Sequence, residues 1–405
     1  MNYGLLFILW ITLLFIPSKI HAQEYDHLVM EMDIQDSVAR ITAHYQLSES
    51  IYDSVYFLLN PEFKIYSVTA DGLSSYTMEM KEGRPFPFWL LKFNDSSTSK
   101  NVIVKFEYEI NLSQQNHMRS NWIELNADKL WQPNTDINNR ITYELTILNL
   151  PDGYTFISHS DASVEYNDDR IIVKKLNPWY EVLFLAGNDM QKWTFDTDIT
   201  IIGSNQIPET TVESIGSKVR NSIDLLNESI GKSDPIQDFI VVLRNTNRDE
   251  IGYQVNRKNM IITGADFNSY GNLSHEVAHF WWSKANFVKE PWMNESFANY
   301  SMYQVMEKYV PSDYQALLEK HKTIADDAIP VSEATSFAEN AYPSFYYKGA
   351  VLLMELEEKI GRDKMNAILA SCIENDIATT QGFLRELARI TNQEISNVFA
   401  ESLKN

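Results

Sequence analysis

The 405-residue sequence is short of cysteine, of positive charge and of long apolar runs. Its single cysteine, Cys372, excludes an intramolecular disulfide, so the fold must be stabilised by core packing or by a bound metal. With 34 basic and 55 acidic residues the formal net charge is −21, which argues against nucleic acid or an anionic membrane as a partner. After residue 17, no apolar run approaches the ~20 residues that span a bilayer.

The first 22 residues have the character of a targeting segment. Residues 4–17 form an apolar run that is too short for a comfortable transmembrane helix, and the small residue Ala22 follows it at a possible cleavage position. We interpret residues 1–22 as a signal peptide and expect an exported protein, periplasmic or extracellular, with no stable membrane insertion after cleavage. An uncleaved N-terminal anchor is the alternative.

The periodicity of the chain changes near residue 195. Over residues 23–195, β-branched and aromatic residues alternate with polar ones between turn signals, which predicts an antiparallel β domain, a sandwich or a saddle. Residues 196–405 have mostly helical spacing around two strand candidates, 238–243 and 259–264, which predicts a largely helical second domain and an α+β fold overall. Thr210 and Glu213 have the spacing of a capping box, so we expect the first helix to begin there.

Two histidines four residues apart, His275 and His279, enclose Glu276 in a segment with helical character. Residues at this spacing share one helix face, so both imidazoles can reach a single Zn²⁺, and Glu276 is placed beside the metal as a general base. Glu295, on the next predicted helix after Pro291, is the candidate third ligand. Two histidines and one carboxylate leave a coordination position open, which is typical of a catalytic zinc. A chance occurrence of the motif on two acidic helices is the alternative.

A pair of tyrosines, Tyr346 and Tyr347, begins a later helical segment. A phenol near the metal would stabilise an oxyanion, although two aromatic residues at this position are also common in a helical core. The residues alone leave the choice between these roles open.

Several segments together resemble the gluzincin aminopeptidases, the family typified by aminopeptidase N. The matching segments are WQPNTD (131–136), FLAGND (184–189), HEVAHFWW (275–282), NESFANY (294–300) and YYKGA (346–350). The resemblance runs through most of the mature chain. It implies a β-saddle followed by a thermolysin-like catalytic domain with a Zn²⁺ cofactor and a peptide or protein substrate. It also implies that Tyr346, rather than Tyr347, is the transition-state tyrosine.

The match departs from the family at the strand that binds the substrate's free α-amine. Its best counterpart is residues 252–256, where Val255 stands in place of the family's glutamate, and Glu250 or Glu124 is the candidate replacement. The predicted substrate-binding residues are Gly252, Tyr253, Gln254 and Glu124. Fifteen residues (280–294) separate the second histidine from Glu295, fewer than is usual in the family. The chain ends soon after the last predicted helix, so we expect a short form without the family's helical C-terminal domain and a more open cleft.

Three functions follow from these observations. The first is an aminopeptidase-like zinc peptidase, and the second is an endopeptidase on the same scaffold, which the loss of the amine-binding glutamate favours. The third is a catalytically inactive, zinc-containing peptide-binding protein. The sequence gives neither the oligomeric state nor the side-chain preference.

Overall fold

The computed structural model describes residues 25–49, 53–80, 86–94, 102–114, 121–244, 255–256 and 258–405. These residues form a β-rich N-terminal part followed by a second part that is mostly helical, which confirms the predicted α+β class. The predicted signal peptide, residues 1–22, lies outside the described residues.

The N-terminal part consists of three sheets. Its strands are β1 (Asp26–Gln35), β2 (Val38–Gln46), β3 (Ser54–Phe57), β4 (Lys64–Thr69), β5 (Leu73–Met80), β6 (Pro87–Phe93), β7 (Ile103–Asn111), β8 (Trp122–Leu125), β9 (Ile141–Leu148), β10 (Tyr154–Ile157), β11 (Ser163–Asn167), β12 (Arg170–Trp179) and β13 (Phe184–Asn188). The largest sheet has the order β11-β12-β9-β1-β2-β7-β4, and the two smaller ones have the orders β3-β6-β5 and β10-β13-β8.

The pairing in these sheets is antiparallel with one exception among the described strands, because β1 runs parallel to β9. The prediction of a purely antiparallel domain was therefore wrong at this pair. A parallel pair needs a long crossover, and residues 36–140 supply it here. The alternating pattern of β1 buries Leu28, Met30 and Met32 on one face, as period-two patterning predicts.

Trp131, the first residue of the WQPNTD segment, is fully buried in the core of the N-terminal part. Its indole Nε1 donates to the carbonyl of Val182 at 2.8 Å, and its own carbonyl accepts from the hydroxyl of Tyr108 at 2.6 Å. This segment therefore ties β7 to the chain that leads into β13, which is a structural role.

The second part joins one mixed sheet to a set of helices. Its elements are β14 (Met190–Phe195), β15 (Ile199–Ser204), α1 (Glu209–Ser229), β16 (Phe239–Arg244), β17 (Val255–Asn256), β18 (Met260–Gly264), α2 (Tyr270–Ala278), α3 (Pro291–Tyr309), α4 (Pro311–Asp326), α5 (Gly349–Ile360), α6 (Arg362–Glu374), α7 (Thr380–Ile390) and α8 (Gln393–Ser402). The sheet order is β14-β15-β16-β18-β17, with β15, β16 and β18 parallel and β14 and β17 antiparallel at the edges. Both predicted strand candidates, now β16 and β18, are confirmed.

The start of α1 differs from the prediction. The helix begins at Glu209, and its N-cap residue is Pro208, which makes no side-chain cap hydrogen bond, so the predicted capping box of Thr210 and Glu213 was wrong. Proline lacks an N–H and has a fixed φ, so it suits a helix start where no N–H partner exists.

The predicted domain boundary at residue 195 stays a prediction. In the structure the strand before it, β14, already pairs with β15 of the second part. Cys372 is buried on α6, and burial raises the pKa of its thiol to about 12, which keeps it unreactive. In the described part of the chain, no helix has both the length and the apolar character that crossing a membrane requires.

The two parts meet at a buried junction. A shared apolar cluster consists of Trp122, Ile157, Leu183, Leu185, Val242, Met260 and Ile262. Beside it, Arg244 at the end of β16 donates to both carboxylate oxygens of Glu124 on β8, each at 2.8 Å. The two side chains are 1% and 0% exposed. Trp122 and Asn126 donate to the same carboxylate, and Arg244 also donates to the carbonyl of Ile262. The junction thus holds a fully desolvated ion pair whose hydrogen bonds are extensive.

We expect Arg244→Met to lower the free energy of unfolding by about 3–5 kcal/mol, because it leaves the Glu124 carboxylate buried without its cation. Chemical denaturation followed by circular dichroism measures this. Arg170→Met is the matched control, since Arg170 pairs with Asp169 on the surface and should contribute less than about 1 kcal/mol. Equal effects of the two substitutions would contradict a structural role for the buried pair.

Candidate active site

Helices α2 and α3 pack side by side and carry the predicted metal ligands. The side chain of Ser269 caps the start of α2, and Pro291 occupies the first turn of α3. The loop between them is held by Asn294, whose side chain accepts from the amide of Ala285 at 3.1 Å and donates to its carbonyl at 3.2 Å. This bracing gives the short connection a fixed path, so that both helices keep their ligands facing one another.

Three ligand atoms converge between the two helices. The Nε2 atoms of His275 and His279 lie 3.1 Å apart, and Oε2 of Glu295 lies 3.4 Å from each of them. A tetrahedral ion with bonds of ~2.0–2.1 Å holds its ligand atoms about 3.3–3.4 Å apart. The observed triangle therefore has the dimensions of three corners of a zinc coordination sphere.

The opposite ring nitrogens fix the orientation of both imidazoles. Nδ1 of His279 donates to the carbonyl of Trp282 at 2.8 Å, and Nδ1 of His275 donates to the amide oxygen of Asn299 at 2.9 Å. With the protons held on Nδ1, both Nε2 lone pairs are directed at the shared point, as metal-ligating histidines require. Trp282 is itself anchored, since its indole Nε1 donates to Ser301 on α3 at 3.0 Å.

The charges of the three side chains are strongly coupled. Burial disfavours charge on His279, but Glu295 and Glu276 outweigh it and raise the His279 pKa to about 9. Burial likewise acts against ionisation of Glu295, yet the adjacent imidazoles hold its pKa far below the usual range. The carboxylate is therefore ionised, and a bound metal would displace a proton from the pair.

Oε2 of Glu295 provides the test of whether these residues fit a metal. This atom is buried and has no hydrogen-bond partner among the described residues, although buried carboxylate oxygens are normally satisfied. The three residues also form a cluster whose ligand atoms all lie within 4.8 Å of one another. Two nitrogens and one oxygen are the donor set of a catalytic Zn²⁺, so the residues fit the predicted cofactor.

Glu276 and Tyr346 both adjoin the ligand cluster. Glu276 is 7% exposed and lies on α2 directly after His275. The ring of Tyr346 stacks on that of His275 with centroids 5.9 Å apart, and on Tyr342 at 4.2 Å. Burial, together with the charge of Glu295, raises the pKa of Tyr346 well above its usual value, so its hydroxyl remains a hydrogen-bond donor.

Tyr346 lies in a π-helical segment, Ser344–Lys348, that directly precedes α5. The carbonyl of Tyr346 accepts from the amide nitrogen of Asn299 at 2.8 Å. Asn299 thus connects the tyrosine backbone to His275. Tyr347 contacts His321 instead, with ring centroids 4.3 Å apart. The sequence showed a plain helix here and gave no sign of the π-helical turn.

A cavity of about 1,050 Å³ begins beside the metal-ligand cluster and extends along α2, α3 and α4. His275, Glu276 and Tyr346 line one end of it. Its apolar wall includes Met302, Met306, Val310 and Leu317, and its polar wall includes Lys218, Asp313, Lys320 and His321. A ligand pocket of this size accommodates more than one amino-acid residue.

Of the predicted substrate-binding residues, the structure describes only Glu124. Gly252, Tyr253, Gln254 and the alternative Glu250 lie outside the described residues. The backbone of Val255 pairs with Ile262 at the edge of the sheet. Glu124 is buried in the ion pair with Arg244 and is absent from the described lining of the cavity.

Sequence reasoning missed three residues around the site: Asn299, Tyr342 and His321. Asn299 had a detectable signal, because it lies four residues after Glu295 and so shares its helix face. Tyr342 and His321 had none, since only the tertiary fold brings them to the cavity.

The comparisons with known proteins agree with this geometry. Residues 268–402 match the sequence pattern of the peptidase family M1 domain. A search of curated protein sequences finds no match. Similar solved structures include the M1 zinc metallopeptidase from Deinococcus radiodurans, with a TM-score of 0.63, 13% identity, and coverage of 94% of this chain and 93% of that chain. Native yeast LTA4 hydrolase gives a TM-score of 0.69 at 15% identity, covering 93% of this chain and 67% of that chain.

A further similar structure is a mutant of the Deinococcus radiodurans metallopeptidase bound to a Tyr-Ser-Ala substrate. Its TM-score is 0.65 at 14% identity, with 94% of each chain covered. At identities this low, the structural similarity establishes a shared two-domain fold and nothing more. The family match, by contrast, covers the segment that carries His275, His279 and Glu295.

We expect Asn299→Ala to weaken zinc binding by about 10–100-fold, because the His275 ring loses the acceptor that fixes its orientation. Competition with a fluorescent zinc chelator measures the affinity. Asn366→Ala is the control, since Asn366 on α6 accepts from Gln304 instead. An unchanged affinity in Asn299→Ala would show that Asn299 does not support the ligand.

Proposed function

We propose that this chain is a zinc metallopeptidase that hydrolyses peptide bonds at the site formed by His275, His279 and Glu295, and the match of residues 268–402 to the peptidase family M1 domain supports this. The observation that carries the proposal is the convergence of three ligand atoms beside Glu276 and Tyr346 at one end of a large cavity. A site that only stored zinc would need neither of these two groups.

The chemistry divides among the cofactor and two side chains. When bound, Zn²⁺ supplies the Lewis acidity that polarises a carbonyl and lowers the pKa of water. Glu276 takes a proton from the attacking water and passes it to the amine nitrogen that leaves. The hydroxyl of Tyr346 donates a hydrogen bond to the negative charge that develops on the carbonyl oxygen. Its raised pKa supports this role, because the phenol stays protonated at neutral pH.

Aminopeptidase action is the first candidate for the type of cleavage. The family that the sequence resembles removes N-terminal residues, and a structure similar to this chain holds the short substrate Tyr-Ser-Ala. Under this proposal a carboxylate must bind the substrate's α-amine. Glu250, outside the described residues, is the remaining candidate on the strand segment before Val255.

Endopeptidase action is the second candidate, and the Glu124–Arg244 pair favours it. The Glu124 carboxylate accepts two hydrogen bonds from Arg244, so its charge is already compensated and it is a poor partner for an ammonium group. Val255 cannot supply a charge either. Cleavage that does not require a free N-terminus is consistent with both observations.

We also propose that the protein is exported. The support is the apolar run at residues 4–17 followed by a small residue at a possible cleavage position. The strongly acidic composition supports peptides rather than nucleic acid as partners.

Offering each peptide of a pool with a free and with an acetylated N-terminus distinguishes the two candidates. We expect zinc-loaded protein to release fragments that mass spectrometry identifies. Loss of single N-terminal residues from the free peptides alone would support an aminopeptidase. Internal cuts in both sets would support an endopeptidase, and the absence of any cleavage would favour the inactive, peptide-binding alternative.

We expect Glu276→Gln to retain zinc while lowering kcat by about 10²–10⁴-fold, because it removes the proton acceptor but none of the ligands. Tyr346→Phe should lower kcat by about 10²–10³-fold, since it deletes one oxyanion donor. Metal analysis and steady-state kinetics measure both effects. Tyr347→Phe is the comparison for the tyrosine, and a larger loss in Tyr347→Phe than in Tyr346→Phe would reverse the assignment of the two residues.

A further inference from the structure

Two lysines line the cavity beside Glu276, and neither has a carboxylate partner within ion-pair distance among the described residues. They are Lys218 on α1 and Lys320 on α4. The chain as a whole has 55 acidic and 34 basic residues, so two uncompensated cations in one cavity are a distinct local feature. Positive groups that converge on a cavity attract an anionic ligand.

Lys218 is held in place by neutral oxygen atoms. Its Nζ donates to the hydroxyl of Ser214 at 2.9 Å and to the carbonyl of Asn268 at 2.5 Å. An ammonium group has three donor hydrogens, so one remains for a ligand. Burial lowers the pKa of this lysine, and a bound anion would offset that effect.

Lys320 has no hydrogen-bond or ion-pair partner in the described part of the chain, and it precedes His321, which also lines the cavity. The hydroxyl of Tyr303 lies 2.6 Å from Nδ1 of His321. Burial lowers the pKa of His321 to about 4, so the ring is neutral at pH 7, accepts from Tyr303 at Nδ1 and carries its proton on Nε2. His321 therefore contributes a donor and no competing negative charge.

Asp313 and Glu276 are the acidic residues in the described lining of the cavity. Asp313 lies in the first turn of α4, where a carboxylate complements the helix dipole. Glu276 has its own role at the catalytic end. Neither carboxylate lies within ion-pair distance of Lys218 or Lys320, so both ammonium groups remain available to a ligand.

The position of the cavity indicates which side of the substrate it receives. Its described lining comes from α1 to α4, from residues 267–269 before α2, and from residues 342–347. Since Glu276 hands its proton to the leaving amine, the segment on the C-terminal side of the cut bond lies next to it.

We propose that this cavity is the subsite for the leaving side of the substrate, and that Lys218 and Lys320 bind a carboxylate there. This inference rests on the proposed peptidase function and deepens it. The preferred substrates are then short peptides whose C-terminal carboxylate falls inside the cavity. An acidic side chain on a longer peptide offers the same chemistry, so the experiment must separate the two sources.

The test offers the protein three versions of one short peptide. The first has a free C-terminal carboxylate, the second a C-terminal amide, and the third an amide with glutamate as the last residue. We expect kcat/KM for the amide to be at least about tenfold lower than for the acid, because a charge-assisted hydrogen bond is lost. In Lys320→Gln and Lys218→Gln this preference should shrink towards one.

The control variant is Lys322→Gln, which removes the same charge from an exposed position on α4 outside the described cavity lining. It should keep the full preference for the acid. Lys218→Arg should keep it as well, which separates loss of charge from disturbance of the segment that leads into α2. Binding of the acid and amide peptides to zinc-loaded Glu276→Gln, measured by calorimetry, gives a readout that does not depend on turnover.

The outcomes are distinct. Cleavage of none of the peptides would overturn the proposed function itself. Equal kcat/KM and equal affinity for acid and amide would overturn the subsite proposal while leaving the peptidase function intact. Full recovery with the glutamate amide would support carboxylate recognition but overturn its assignment to the peptide C-terminus.

Discussion

The meeting of one carboxylate oxygen with two imidazole nitrogens is the constraint on which the rest of the catalytic part depends. Oε2 of Glu295 lies 3.4 Å from both Nε2 atoms in a buried space, where like any desolvated charge it requires a compensating partner. Helices α2 and α3 must therefore keep a fixed spacing. Asn294 braces the loop that joins them, and Trp282 anchors to α3 while its carbonyl orients His279. The packing around the site thus preserves the distance between the Glu295 carboxylate and the two imidazoles.

Asn299 connects the ligand cluster to Tyr346, the proposed catalytic tyrosine. Its two amide atoms contact Nδ1 of His275 and the carbonyl of Tyr346, so a single side chain sets the positions of a ligand and of a proposed oxyanion donor. The π-helical turn at Ser344–Lys348 brings the Tyr346 ring against the His275 ring. π-helical turns are rare and frequently occur at functional sites. Preorganisation here comes from shared hydrogen bonds rather than from the metal alone.

The buried pair of Glu124 and Arg244 shows that a carboxylate predicted to bind substrate can instead lie in a buried ion pair. Resemblance to a family made Glu124 a candidate for binding the substrate amine, and nothing in its own sequence neighbourhood contradicted that. Arg244 is 120 residues away in the chain and meets it only where the two parts of the protein pack. The spacing of residues along the chain cannot identify the partner of a candidate binding residue such as Glu124, because that partner comes from a distant segment.

The sequence by itself determined the β-to-helical order, the strands β16 and β18, and the pairing of His275 and His279 on one helix, because each rests on periodicity within a few residues. It also indicated Glu295 through its neighbours. Only the tertiary structure decided the parallel contact of β1 with β9, the π-helical turn at Tyr346 and the lysines of the cavity. These depend on how distant segments pack, where burial and hydrogen-bond satisfaction outweigh local preference.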